Sequence, residues 1–269
     1  MTLAAFRFAP SPNGELHLGH AYSALLNERL AEEAGGRFLI RIEDIDRLRC
    51  KPEFASKALA DLAWLGLHWE TPVRFQSEHL ADYAARQEQL IERGLLYPCF
   101  CSRKDLAWRS VGQQLDPEGQ PLYDGACRTL PRHTVLDWVG EGKDRAMRID
   151  MTTATAMVGG GLRLDPSPWG DVVLVRKDIG SSYHVAVVTD DALQGITHVV
   201  RGRDLEAPTS IHQLLQNLLG LPTPHYHHHL LLSDDDGKKL SKSASSKPLR
   251  VLREEGVTPA DIRRVLGFA

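Results

Sequence analysis

A strand, a loop rich in Pro and Gly, a helix and a second strand follow one another within about the first 40 residues, an order that restricts the chain to folds built on a parallel sheet. Residues 4 to 9 form a short apolar run broken by Arg7, and Pro10-Ser11-Pro12-Asn13-Gly14 ends it in a loop. From His17 onward, Leu18, Tyr22, Leu25, Leu26 and Leu30 keep the spacing of a helix, which stops at Gly35-Gly36. Arg37 to Glu43 reads as the next strand and completes a βαβ unit of the nucleotide-binding kind.

The loop-to-helix junction carries His17-Leu18-Gly19-His20. Backbone N–H groups and the dipole at a helix start favour an anion such as a triphosphate, and Gly19 lets it approach the backbone closely. Far along the chain, Lys239-Leu240-Ser241-Lys242-Ser243 supplies a lysine loop. Lys242 can bring a positive charge to the phosphates and stabilise the charge that develops on pyrophosphate as a carboxylate attacks the α-phosphate. Together the two motifs point to adenylate chemistry: His17, His20 and Lys242 act in catalysis, with Gly19, Lys239 and Ser241 beside them at ATP.

Three of the four cysteines, Cys99, Cys101 and Cys127, fall within one short stretch, which fits a metal site in a reducing compartment better than a disulfide framework. Three thiolates at this spacing suit zinc, and either Tyr123 or His133 could complete the set. Four protein ligands would leave no open position, so a structural role is expected. Cys50 is left over as a partly buried free thiol with no special role. His227-His228-His229 does not converge as a ligand set, because strand alternation sends neighbouring side chains to opposite faces. Asp234-Asp235-Asp236 before Gly237 reads as a solvated turn.

With 42% hydrophobic and 25% charged residues the chain has the composition of an ordinary globular protein, and no apolar run approaches the roughly 20 residues of a membrane span. The N-terminus lacks the pattern of a secretory signal, so a cytoplasmic protein with no membrane partner is expected. A net charge of -3 excludes a general basic coat, so any RNA must meet a local patch such as Arg47, Arg49 and Lys51.

Helices are expected around 52–66 and 77–93. Residues 1–94 then form the first half of a nucleotide-binding domain, and 95–145, poor in periodicity, an inserted small zinc domain. Residues 146–247 would be the second half, with strands at Asp171 to Arg176, Tyr183 to Thr189 and Ile196 to Arg201, a helix at 208–219 and a last strand from His225. A short helical tail, 248–269, closes the chain.

The two motifs in this order resemble those of the class I aminoacyl-tRNA synthetases. Arg7 to His20, Arg41-Ile42-Glu43-Asp44-Ile45-Asp46, and Asp190 to Gly202 look like glutamyl-tRNA synthetase over most of the chain. The resemblance implies a Rossmann-like α/β catalytic domain with a parallel sheet, in which Arg7 clamps the glutamate side chain and its planar fork suits a carboxylate. It places Arg201 and Tyr183 in the same pocket, has Glu43 accept the α-ammonium, and has Phe8, Ala9, Pro10 and Ser11 shape the floor. It also implies Tyr123 as the fourth zinc ligand and Mg²⁺ arriving with ATP.

Only 26 residues follow the lysine loop, too few for an anticodon-binding domain. The pattern therefore resembles the stand-alone paralogues of that catalytic domain that activate glutamate without tRNA and transfer it to queuosine in the anticodon of tRNA(Asp). A monomer is expected. Two alternatives remain: a truncated glutamyl-tRNA synthetase charging the 3′ end of tRNA(Glu), and a non-catalytic RNA-binding paralogue.

Overall fold

The computed structural model describes residues 3–109, 114–232 and 247–268. In chain order the elements are β1 (Ala5–Phe8), α1 (Leu18–Glu33), β2 (Arg37–Ile42), α2 (Pro52–Trp64), β3 (Glu70–Phe75), α3 (Leu80–Glu92), β4 (Leu96–Cys99), α4 (Arg103–Arg109) and α5 (Arg132–Gly140). They continue with β5 (Ala146–Ile149), α6 (Met151–Val158), β6 (Val173–Val175), α7 (Tyr183–Leu193), β7 (His198–Gly202), α8 (Thr209–Leu218), β8 (His225–His229), α9 (Leu249–Glu254) and α10 (Pro259–Val265). These divide into two compact units: Met1–His79, Leu193–Glu206 and Pro224–Ala269 form the first, Leu80–Ala192 and Ala207–Thr223 the second.

The first unit holds a five-stranded sheet in the order β3-β2-β1-β7-β8, every pairing parallel. Registers Phe6↔Phe38, Phe6↔His198 and Val200↔His227 put Phe6, Phe8, Phe38, Ile40, Ile42 and Val200 on one face. That face packs on Ala21, Leu25 and Leu26 of α1 and on Leu62 and Leu65. Gly36 is required where α1 turns into β2, since a Cβ there would lie 2.4 Å from the Ala4 carbonyl oxygen. The opposite face carries a smaller apolar patch, Ala5, Leu39, Ile196 and Val199, with Tyr226 packed against it.

The helical tail is docked on this unit. Leu249 is fully buried, its N–H donates to the Leu16 carbonyl at 2.8 Å, and Pro248 forms an antiparallel bridge with His17. Arg250 and Lys57 both reach the Glu15 carboxylate, at 3.0 and 3.2 Å. Ile262 of α10 joins the main core, and Arg263 donates to the Leu65 carbonyl at 3.2 Å.

The second unit is built on an antiparallel sheet, β4-β5-β6. Strands β5 and β6 therefore extend the sheet begun at Leu96, and the parallel sheet resumes only at His198, later than the return at 146 expected from sequence. The strand expected at Tyr183 to Thr189 is instead the start of α7. Its Val185, Val187 and Val188 suggest a strand, but Val185 to Asp191 are all buried, and packing on every side overrides the weak preference of β-branched residues. Tyr83, fully buried on α3, donates to both oxygens of Asp190 at 2.9 and 3.1 Å, which ties α3 to α7.

One buried acid in the first unit is poorly accommodated. Asp61 on α2 is 5% exposed and its Oδ2 has no hydrogen-bond partner. Burial, and then the nearby Glu15, push its carboxyl from 3.8 up to about 6, against the pull of Arg253, Arg250 and Lys57. A carboxyl whose folded pKa is raised costs stability as pH climbs from about 4 to 6, because the unfolded chain gives up the proton more readily. Asp61→Asn is expected to raise the unfolding free energy by roughly 1–3 kcal/mol at pH 8 and to leave it nearly unchanged at pH 4. Urea titrations at the two pH values check this.

Candidate functional site

Strand ends decide what faces the candidate site. The same registers that send Phe6 and Phe8 toward α1 send Arg7, Arg41 and Arg201 to the other face, at or near the carboxyl ends of three adjacent strands. Ligands of parallel α/β sheets bind at such ends. Arg7 and Arg201 are buried, 4% and 5% exposed, as is Glu43 just past β2.

Each of these charges has a set of partners that orients it. Arg41, fully buried, donates to Glu43 at 3.1 Å and to Gln194 at 3.1 Å, so the Glu43 carboxylate is held from its own strand, two residues back. The Glu43 N–H donates to the Pro10 carbonyl at 3.1 Å, which fixes the loop after β1 against β2, and the Cys50 thiol donates to the Glu43 carbonyl at 3.7 Å. Arg201 donates from Nε to His228 at 3.4 Å and lies 5.4 Å from the Tyr226 ring centre. Burial, and then the adjacent Arg201, push His228 down to about 4, so it is neutral at pH 7 and can accept that bond.

Arg41 and His228 are the supports that sequence reading passed over. The signal for Arg41 is its i, i+2 relation to Glu43 at a strand end. His228 shows none, because its partner lies on another strand. Phe8, expected in the pocket floor, packs its side chain into the helix-side core, so it offers a ligand on the other face only backbone. Tyr183 begins α7 in the second unit, where its ring meets His184 and His212 edge-on at 5.6 and 5.5 Å. Lys239, Ser241 and Lys242 lie outside the described residues.

His17 is the N-cap of α1, with extended backbone (φ −130°, ψ 179°). Its Nδ1 accepts the Gly19 N–H at 3.1 Å, while His20 Nδ1 accepts the His17 N–H at 3.1 Å, a reciprocal capping box made from two imidazoles 3.9 Å apart. Since both Nδ1 atoms accept, a neutral ring must carry its proton on Nε2. A Cβ on Gly19 would lie 2.9 Å from His17 Cε1, so glycine there leaves room for the cap. This arrangement presents imidazole donors and a helix N-terminus together, a setting suited to a polyanion.

In the second unit Cys99, Cys101 and Cys127 gather, their sulfurs all within 4.8 Å of one another. Cys101 and Cys127 Sγ are 3.5 Å apart, and Tyr123 Oη lies 3.6 Å from Cys99 Sγ and 3.7 Å from Cys101 Sγ. A tetrahedral zinc with bonds of about 2.3 Å to sulfur and 2.0 Å to oxygen has edges of about 3.8 Å (S to S) and 3.5 Å (S to O). The cluster is therefore compatible with zinc, and it contains Tyr123 rather than the exposed His133 of α5. Hydrogen bonding from Cys127, opposed by burial and aided by Tyr123 and Arg148, lowers the Cys99 thiol.

Residues 4–268 match the family model described as tRNA synthetases class I (E and Q), catalytic domain. A Rhodobacter capsulatus protein named glutamyl-Q tRNA(Asp) synthetase is 47% identical over 97% of this chain and 99% of its own length. A Symbiobacterium thermophilum protein of the same name is 41% identical over 95% of this chain and 83% of its own. Among solved structures, the glutamate tRNA ligase of Elizabethkingia meningosepticum, in complex with its amino acid, superposes with a TM-score of 0.75 at 27% identity. The match covers 95% of this chain and 54% of that ligase, so the chain spans about half of its length.

Elemental analysis of protein equilibrated with zinc is expected to give one zinc per chain, and Cys101→Ser to lose most of it. Full zinc content in Cys101→Ser would remove the thiol cluster as the site.

Proposed function

The chain belongs to the class I tRNA synthetase (E and Q) catalytic-domain family, and to its glutamyl-Q tRNA(Asp) synthetase branch, and from that premise we propose that it activates glutamate with ATP and transfers it to queuosine in the anticodon of tRNA(Asp). One observation carries the amino-acid half of this reading: two buried arginines and one buried glutamate at the ends of β1, β7 and β2. Glutamate bears two carboxylates and one ammonium, the complementary charges. Arg7 takes the side-chain carboxylate, and Glu43, held by Arg41, takes the α-ammonium. Arg201, oriented by His228, supplies the second positive group.

In the first step the α-carboxylate of glutamate attacks the α-phosphorus of ATP, and the bond to the β-phosphate breaks to release pyrophosphate. The carboxylate is already ionised at pH 7, so no general base is needed. His17 and His20 donate to the phosphates beside the first turn of α1, Lys239, Ser241 and Lys242 hold them from the lysine loop, and Mg²⁺ enters with ATP. Catalysis rests on positioning and on charge placed where pyrophosphate develops. In the second step a queuosine hydroxyl attacks the adenylate carbonyl and AMP leaves. Zinc, held by Cys99, Cys101, Tyr123 and Cys127, would supply a structural cross-link. Among the described residues no helix is long and apolar enough to cross a membrane.

Two measurements test this. Purified protein is expected to catalyse glutamate-dependent exchange of pyrophosphate into ATP without RNA, and Lys242→Ala to slow that exchange at least about tenfold. Unchanged exchange in Lys242→Ala removes the lysine from this role, and no exchange in the wild-type protein favours a non-catalytic RNA-binding paralogue. With labelled glutamate and mixed tRNA, nuclease digestion is expected to leave the label on the anticodon nucleoside of tRNA(Asp). Periodate-sensitive label on a terminal adenosine would point instead to charging of tRNA(Glu).

A further inference from the structure

Arg148, on β5, lies against the thiol cluster and is not one of its ligands. Its guanidinium carbon sits 3.9 Å from the centre of the Tyr123 ring. The residue is only 9% exposed, and a hydrogen bond from NH1 to the Asp171 carbonyl at 2.6 Å helps to fix its place. Its Nε has no hydrogen-bond partner, so that hydrogen bond leaves part of a buried cation unmatched. A buried charge is stable only beside its opposite.

The cluster that this cation lies against is negative when loaded. Three thiolates around a dication leave a net charge of about −1, more negative if the phenol also gives up its proton. The other cations nearby are engaged elsewhere. Arg109 pairs with Asp124 at 2.9 Å, Arg128 pairs with Asp171 at 3.0 Å, and Lys177 donates to the backbone carbonyls of Phe100 and Cys101 at 3.4 and 3.0 Å. Arg148 alone of these lies over a side chain of the four-residue set. Tyr123 is also turned by its own oxygen, which accepts the Cys127 N–H at 2.8 Å, so the ring is held at its edge and on its face.

We propose that Arg148 is the counter-cation and positioning residue of the metal centre: it balances the excess negative charge of the loaded cluster and holds the Tyr123 ring so that its oxygen faces the sulfurs. This rests on the zinc reading above. A buried group that orients a ligand in this way is commonly worth 10–100-fold in metal affinity.

The test is zinc affinity, read by competition with a chromophoric chelator, together with the absorption spectrum of the cobalt(II)-substituted protein. Arg148→Gln keeps a donor for the Asp171 carbonyl but removes the charge and the stacked plane. It is expected to bind zinc 10–100-fold more weakly and to show altered cobalt bands, while glutamate-dependent pyrophosphate exchange persists. Wild-type zinc affinity in Arg148→Gln overturns the inference. Should that variant fail to fold, Arg148→Met, which is neutral and apolar, decides by the same two readouts. A wild-type protein that binds no zinc overturns the metal reading itself, a result distinct from a variant that binds as well as wild type.

Discussion

The register between β1 and its two neighbours is the constraint on which the first unit depends. With Phe6 opposite Phe38 and His198, every even-numbered side chain of β1 enters the helix-side core and Arg7 must face away from it. A slip of one residue would bury an arginine among phenylalanines and expose the phenylalanines, a loss of several kcal/mol from apolar burial alone, before the cost of the charge. The packing that stabilises the sheet is thus the same packing that aims the charged groups. Charged residues at these strand ends need no separate scaffold, only the alternation of the pleat.

Much of this was legible in the sequence because it is local. The βαβ unit announces itself by a change of period and by Gly35-Gly36, and the His17 cap by its place between a Pro-rich loop and an apolar helix. The three cysteines are legible as a type of chemistry, though their geometry comes from the end of β4 meeting a turn near residue 127. What was hidden is tertiary. The valines of α7 favour a strand when taken alone, and burial from Val185 to Asp191 makes the segment a helix. Strand alternation separates His227, His228 and His229, so the three do not form one ligand set. Yet that same alternation is what delivers the middle one to Arg201.

The two sites illustrate two ways of holding charge. At the strand ends, charged groups are paired with partners from the framework, Glu43 with Arg41 and Arg201 with a neutral imidazole. In the second unit three free cysteines and a tyrosine lie beside a buried guanidinium. The first set is held by partners of the framework; in the second the guanidinium rests on the ring of a candidate ligand.

The bridge between His17 and Pro248 ties the cap of α1 to the far end of the chain. The Leu249 N–H on the Leu16 carbonyl and the Arg250 guanidinium on the Glu15 carboxylate close the same junction. The backbone N–H groups at the start of α1 are thereby braced by the tail, so a change at Leu249 or Arg250 reaches the cap without touching it.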